Sequence, residues 1–322
     1  YGKGLQNLHS PVQLRVSPPK NAGASSGVFY FSTEEEGDLV SPDINDIFAL
    51  YLKCFPDYPV SKEAFCNLLQ LETAEILSDF NANKLIGFSI VRENTISLLC
   101  VDPFYRAKGV GSRLLQKSET AIAGQNFKHI ILGRGKHYLL QGVPAEPTEI
   151  SRFFQKRGYS AEWTSADMNL CLNHFSALAL DIPPAPETVV FRFATEKDSV
   201  LLLNAVQKAE PAWKDFFISP SEPILIAFHA GEIAGFEFLS PKGGRFVKPE
   251  SRTGSIGCVG VVPEERKKGI GRQLVSKGAE WLKLQGCMNI ELRYVALVDW
   301  YQKIGFEVIR RQWMGEKDLS AV

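Results

Sequence analysis

Short apolar runs of strand period alternate with longer amphipathic stretches along this chain, and the series runs twice. "SGVFYFSTEEE" reads as a strand and turn, and "SPDINDIFALYLKCF" sets apolar residues at helical spacing behind Ser41 as N-cap. "SKEAFCNLLQ" opens a second helix in the same manner. "AEILSDFNANKLIGFSIVRENTISLLCVDP" predicts three strands, with turns at Asn83 and "ENT" and the last strand over Ile96 to Val101. A helix "SRLLQKSETAIAGQ", a buried-type strand "HIILGRG", a short helix closed by Gly158 in "PTEISRFFQKRGYS" and a strand "AEWTSADMNLCL" complete the first series.

After "NHFSALALDIPPAPET", whose three prolines predict a stiff extended bridge, the order returns. "VVFRFATEKDS" is strand and helix start, and "PILIAFHAGEIAGFEFLS" a hairpin turning at "HAGE". "SRTGSIGCVGVVP" is a strand, "RQLVSKGAEWLKLQG" a helix and "NIELRYV" a strand. "ALVDWYQKIGF" is a short helix and "EVIRRQWMGE" a closing strand. The two series share a signature. "VDPFYRAKGVGSRLL" and "VVPEERKKGIGRQLV" both read Val-x-Pro-x-x-Arg-x-x-Gly-x-Gly, with Arg106 and Arg266 160 residues apart. A duplicated mixed α/β domain follows. The expected layout is a linker over 1–27, a first domain over 28–173, a bridge over 174–188 and a second domain over 189–322.

Bulk properties narrow the field. A length of 322 residues suits two domains of about 150 residues each. Lys plus Arg and Asp plus Glu balance at 36 each, so no basic face for nucleic acid is expected. No apolar run approaches the roughly 18 residues of a membrane span. The first residue is Tyr, so a processed form or fragment is expected, and the N-terminal stretch lacks the apolar core of a signal peptide. Six cysteines, with no CxxC pair, read as reduced core residues without a metal, in an intracellular, cytoplasmic chain.

The glycine turn carries the chemistry. A strand that enters a glycine-rich turn and then a helix presents unpaired backbone N–H groups at the positive end of the helix dipole, which favours an anion such as phosphate. Glycine admits positive φ and close approach of a ligand. Arg266, Lys267, Lys268 and Arg272 surround the second turn, and Arg106, Lys108 and Arg113 the first. Neither turn fits GxxxxGK[ST] or GxGxxG, so nucleotide loops of those kinds are excluded. A solvated basic turn is the alternative, weakened because the pattern occurs twice.

The signature resembles the acyl-CoA motif of the GNAT superfamily of N-acetyltransferases, and "WYQKIGF" resembles that superfamily's last helix. The whole, from about Gly27 onward, is similar to the acetyltransferase region of fungal family 3 β-N-acetylglucosaminidases. The resemblance implies two tandem GNAT-like mixed-sheet domains of the acyl-CoA N-acyltransferase fold, with acetyl-CoA as cosubstrate. It implies that Val261, Arg266, Lys267, Lys268, Gly269, Gly271 and Arg272, with Arg106, Gly109 and Gly111 in the first half, hold the coenzyme A pyrophosphate. It also implies that the strand over Cys258 to Val262 splays from its neighbour.

In that family a Tyr four residues before the last helix's Gly donates a proton to the leaving thiolate. Gly305 places Tyr301 there, whereas Gly158 places Phe154, so the first half reads as degenerate. An Asn that many members carry seven residues earlier is replaced by Tyr294 and Pro147. Asp299, two residues before Tyr301, and Glu237, in "GFEF", are the candidate bases; dipole pairing and an outward strand position are their structural alternatives. His229 is expected exposed, His137 could line a cleft, and Tyr138 has no reason to replace the missing hydroxyl. The expected reaction is acetyl transfer to a small primary amine, glucosamine first. Peptide or polyamine acetylation and a non-catalytic acyl-CoA-binding module are the alternatives. A preceding glycoside hydrolase domain and a homodimer are further possibilities.

Overall fold

A computed structural model describes residues 42–135, 137–180, 182–247 and 251–320. The expected first strand, the linker over 1–27 and the Ser41 cap lie outside these residues. The first helix, α1 (Ile44–Cys54), is capped by Asp43, whose carboxylate accepts the Asn45 N–H at 2.6 Å. α2 (Lys62–Leu69) is capped by Ser61 as its sequence suggests. Three antiparallel strands follow, β1 (Glu75–Asn81), β2 (Lys84–Arg92) and β3 (Thr95–Val101). After the first glycine turn come α3 (Val110–Gly124), β4 (His129–Leu132), β5 (Val143–Pro144), α4 (Thr148–Gln155) and β6 (Thr164–Cys171).

The second series gives β7 (Val190–Phe193), α5 (Ser199–Ala209), β8 (Ile224–His229), β9 (Glu232–Ser240) and β10 (Thr253–Val261). After the second turn follow α6 (Ile270–Leu284), β11 (Asn289–Val295), α7 (Val298–Gln302), β12 (Glu307–Trp313) and β13 (Glu316–Asp318). The β8–β9 hairpin turns on Ala230 (φ 50°) and Gly231 (φ 85°), the two positive φ values that suit the twist of the strands it joins.

The chain forms two compact units, and they are not its contiguous halves. The first unit takes the described residues up to 164 together with 312–320; the second takes 165–311. The expected domains over 28–173 and 189–322 thus each give up their last strand. In the first unit β13 pairs antiparallel with β4 (Glu316 opposite Ile131), giving the order β1-β2-β3-β4-β13. In the second unit β6 pairs antiparallel with β11 (Met168 opposite Leu292), within the order β12-β6-β11-β10-β9-β8-β7. Burial explains the placement of β6: Ala166, Met168 and Leu170 join Leu274, Val275, Ala279 and Leu282 of α6 in one apolar cluster. The bridge differs from a free linker as well. Leu180, Ile182 and Ala185 pack against that same cluster and extend the second unit's core, while Leu178 stays exposed.

Candidate active site

Two bulges shape the centre of the second unit. β10 pairs with β9 on one side, where Gly257 lies opposite Phe238 and Gly260 opposite Phe236. Cys258 and Val259 therefore share one partner, Glu237, and Cys258 takes φ 47°. On its other side β10 runs parallel to β11, with pairing only at Thr253–Asn289, Gly254–Ile290 and Ser255–Glu291. β11 carries its own bulge, Leu292 opposite Met168 and then Val295 opposite Ala166, with Tyr294 at φ 64°. A bulge bends its strand and sharpens the local twist. With one on each strand, β10 and β11 part beyond Ser255 and Glu291. At about 3.3 Å per residue, Val261 lies about 20 Å further along β10 than this vertex.

The parted strand runs into the glycine turn. Arg266 is extended (φ −66°, ψ 154°), Lys267 has φ 66° and Gly269 φ 80°. The first turn repeats the path: Arg106 −65° and 156°, Ala107 59°, Gly109 85°. Backbones of alternating hand form concave nests of N–H groups. The arginines have a local task in both copies. Arg106 Nε donates to Val101 O at 3.2 Å, and Arg266 Nε to Val261 O at 3.0 Å, tying the turn to the strand end. Arg266 Nη2 also donates to Ala209 O at 3.3 Å. Lys268 pairs with Glu265 at 3.0 Å, Lys267 is exposed, and Arg272 is half-buried with no ion pair among the described residues. In the first turn Arg113 is held by Asp79.

The two turns differ outside the backbone. A Cβ at Gly269 would lie 2.6 Å from Pro184 O and 2.8 Å from Pro183 O, so the bridge crosses this turn; Gln273 Nε2 fastens it by donating to Pro183 O at 3.1 Å. A Cβ at Gly109 would meet only Arg113, at 3.3 Å. At the second glycine the copies agree: Gly271 faces Trp300 and Val261, and Gly111 faces Phe153 and Val101.

α7 sets Trp300 against this turn, with Tyr301 packed on Trp300. Tyr301 packs edge-on against Trp300 (4.7 Å between centroids) and Phe306 (5.8 Å). Phe154 makes the same contacts with Phe153 (5.1 Å) and Tyr159 (5.6 Å). The ring positions match and the hydroxyl is the difference. Burial pushes the Tyr301 phenol well up, and the acidic groups of Glu237 and Cys258 add to it. Burial pushes the Cys258 thiol up to about 12.

Glu237 is neither outward-facing nor exposed. It is fully buried, both carboxyl oxygens lack a hydrogen-bond partner, and a Cβ at Gly278 of α6 would overlap one of them. Gly87 of β2 sits under Leu114 and Val110 as Gly235 of β9 sits under Leu274 and Ile270, so Ser89 is the counterpart of Glu237. There Ser118 donates to Ser89 at 2.9 Å. The second half has exchanged a Ser–Ser pair for Glu–Gly, and burial holds the Glu237 carboxyl well above the usual range.

Asp299 is exposed at the start of α7. Residues two apart on a helix point to different sides, so Asp299 and Tyr301 do not share a face. His229, expected exposed, instead sets Nδ1 3.2 Å from Glu265 Oε2. His137 lines a surface hollow of about 450 Å³ with Gln70, Glu75 and Arg92, and Tyr138 is buried.

A polar network at the vertex of the strands was missed from sequence. Glu291 accepts the Arg245 N–H and Arg310 Nη2, both at 2.8 Å, and Arg310 Nε lies 3.4 Å from Asp167. Arg293 Nε is 3.9 Å from Glu291. The polar alternation in "NIELRYV" and "TSADMNLC" was its signal.

Two family models match the chain, "Acetyltransferase (GNAT) family" over residues 194–306 and "Acetyltransferase (GNAT) domain" over 74–161. A mycothiol acetyltransferase of Paenarthrobacter aurescens (strain TC1) is 28% identical over 251 residues, 70% of this chain and 72% of the relative. Among solved structures, the glucosamine N-acetyltransferase region of a fungal multi-domain GH3 β-N-acetylglucosaminidase matches with TM-score 0.73 and 21% identity. That match covers 88% of this chain, which spans only 39% of the fungal protein. A tandem GNAT protein of the clavulanic acid biosynthesis pathway matches with TM-score 0.62 and 12% identity, covering 86% of this chain and 94% of that one. GNAT acetyltransferases use acetyl-CoA as cosubstrate, and among the described residues no helix is long and apolar enough to cross a membrane. With two such domains in tandem, the chain belongs to the GNAT family of N-acetyltransferases.

Proposed function

We propose that the second half transfers the acetyl group of acetyl-CoA to the primary amine of a small acceptor, an amino sugar with glucosamine as first choice. The observation that carries this reading is the pair of bulged, parting strands β10 and β11 leading to a nest of N–H groups, with Tyr301 close enough to Cys258 of the bulge to feel its charge. The residues suit acetyl-CoA: Gly271 opens the turn's inner side, and Trp300 and Val261 give it an apolar wall. The pyrophosphate then rests on the N–H groups of 267–272. The pantetheine arm fills the wedge, and freed backbone N–H groups of β10 polarise the thioester carbonyl.

The amine nitrogen attacks the carbonyl carbon. The C–N bond forms as the C–S bond breaks, and the departing thiolate takes the phenolic proton of Tyr301. The raised pKa keeps Tyr301 protonated at neutral pH, so its O–H stands ready to hydrogen-bond the sulfur as negative charge builds there. Of the two carboxylate candidates, only Asp299 can exchange a proton with solvent, and it does not share the face of Tyr301, so the proton shed by the acceptor ammonium passes to water. Glu237, whose carboxyl burial pushes well up, lies buried opposite the bulge and is assigned no proton to move. The amino-sugar choice draws support from the name of the fungal structural neighbour. Thiol release from acetyl-CoA across amino sugars, polyamines and peptides tests the reading; turnover only with peptides or polyamines refutes the acceptor, and no turnover with any amine refutes the reaction.

A further inference from the structure

The vertex network lies on a definite face of the second unit's sheet. Ile290 and Leu292 of β11, with Ala166 and Met168 of β6, pack into the cluster that holds the α6 side chains. Glu291, Arg293 and Asp167 alternate with them and so project from the opposite face. α7 lies on the α6 side, where Trp300 touches Gly271. With acetyl-CoA on the α6–α7 side, as proposed above, an acceptor must reach the thioester from the face that bears this network.

The members are unequally engaged. Both Glu291 oxygens take hydrogen bonds, and Arg310 spans Glu291 and Asp167 with its guanidinium 5.3 Å from the Phe246 ring. Glu291 and Asp167 are buried to 1% and 0% exposure. Arg293 stands apart. Its side chain is 18% exposed, its Nε is 3.9 Å from Glu291, beyond hydrogen-bond distance, and no hydrogen bond among the described residues engages its guanidinium. A guanidinium with five donors, mostly withdrawn from water and given no hydrogen bond among the described residues, is costly unless a ligand completes it. It sits on β11 two residues past the vertex and one before the strained Tyr294. The first half has no equivalent: Ile131 and Gly133 stand where Glu291 and Arg293 stand, at the same offset of 160 that relates Thr95–Ile131 to Ser255–Glu291.

We propose that Arg293 is an acceptor-recognition residue that pairs with an oxyanion, carboxylate or phosphate, carried by the amine substrate, and that Glu291 positions it. This rests on the acetyl-transfer reading above and refines it, making the preferred acceptor an amino compound with an anionic substituent. A planar guanidinium meets either oxyanion with two parallel hydrogen bonds. Glu291, tied down by Arg310 and the Arg245 amide, holds the Arg293 stem by charge without occupying its terminal nitrogens.

The test compares the full chain with Arg293→Gln and Arg293→Lys in thiol release from acetyl-CoA. The acceptors are glucosamine, glucosamine 6-phosphate, and an amino acid beside its methyl ester. Wild type should prefer the anionic member of one pair by about 10- to 100-fold in kcat/KM. Arg293→Gln should erase the preference through acceptor KM, leaving the uncharged member and the KM for acetyl-CoA within about threefold, and Arg293→Lys should restore part of it. The phosphate and carboxylate pairs tell the two oxyanion sources apart. No preference in wild type, or one that survives in Arg293→Gln, overturns the proposal. Should wild type turn over no amine, the acetyl-transfer reading fails, and Arg293 is judged by calorimetry with glucosamine 6-phosphate and with the amino acid: binding weakened at least tenfold in Arg293→Gln upholds it, and equal or absent binding overturns it.

Discussion

Replacing Glu237 by Gln should change how stability depends on pH, by an amount the structure fixes. The Glu237 side chain is fully buried, with no counter-charge and no hydrogen-bond partner for either oxygen among the described residues. Its folded pKa is raised well above the ordinary value. From the unfolded value near 4.3 up to the folded one, the native chain therefore binds one more proton than the unfolded chain. The contribution of this group is complete below about pH 4.3 and is lost as pH rises through that window. The loss is about 1.4 kcal/mol per pH unit for one proton across that window. Glu237→Gln removes the proton and keeps the volume; its amide carries a pH-independent penalty for the same unsatisfied site. Urea unfolding followed by tryptophan fluorescence, with Trp281 and Trp300 as reporters in the second unit, gives both curves. The variant should gain on wild type by about 1.4 kcal/mol per pH unit. Parallel curves from pH 5 to pH 8 would mean that Glu237 is ionised in the fold, and the account of the Glu237–Gly278 pair would be wrong.

Two further changes test the turns. Gly271→Glu puts a Cβ 3.2 Å from Trp300 and a negative charge in the proposed pyrophosphate seat, so calorimetry should find acetyl-CoA binding by the second half lost in a folded protein; unchanged binding removes the turn from the site. Gly109→Ala should cost about 1–2 kcal/mol through its positive φ alone, and Gly269→Ala more, because its methyl also meets Pro183 and Pro184; equal losses in thermal unfolding would show that the bridge does not hold this turn.

Local pattern carried much of this fold. The helices after both glycine turns, the hairpin at "HAGE" and the parting of β10 from β11 follow from spacing, turn chemistry and the family resemblance. The exchange of β6 and β13 does not, because period-2 alternation marks a strand's buried face and leaves its partner unnamed. The packing of the bridge was not legible for a related reason: its prolines signal stiffness, while the partial burial of Leu180, Ile182 and Ala185 depends on a surface distant in sequence. At the site, the missing hydroxyl of Phe154 was visible by aligning the two copies. Glu237 was harder, since its environment is set by Gly278 on another element, and the two elements relate to the first half by different offsets. The vertex network escaped because charged residues on a buried strand face look like errors of period until their partners are seen.

The central claim is that the second half alone performs the transfer. Steady-state thiol release from acetyl-CoA with the best amine acceptor, run on Tyr301→Phe and Phe154→Leu side by side, tests it most directly. Tyr301→Phe keeps the ring that packs on Trp300 and Phe306 and removes the proton donor, so kcat should fall by about 10²- to 10⁴-fold. Phe154→Leu should leave kcat near wild type apart from any loss of packing. Equal losses in the two variants, or full activity in Tyr301→Phe, would contradict the assignment.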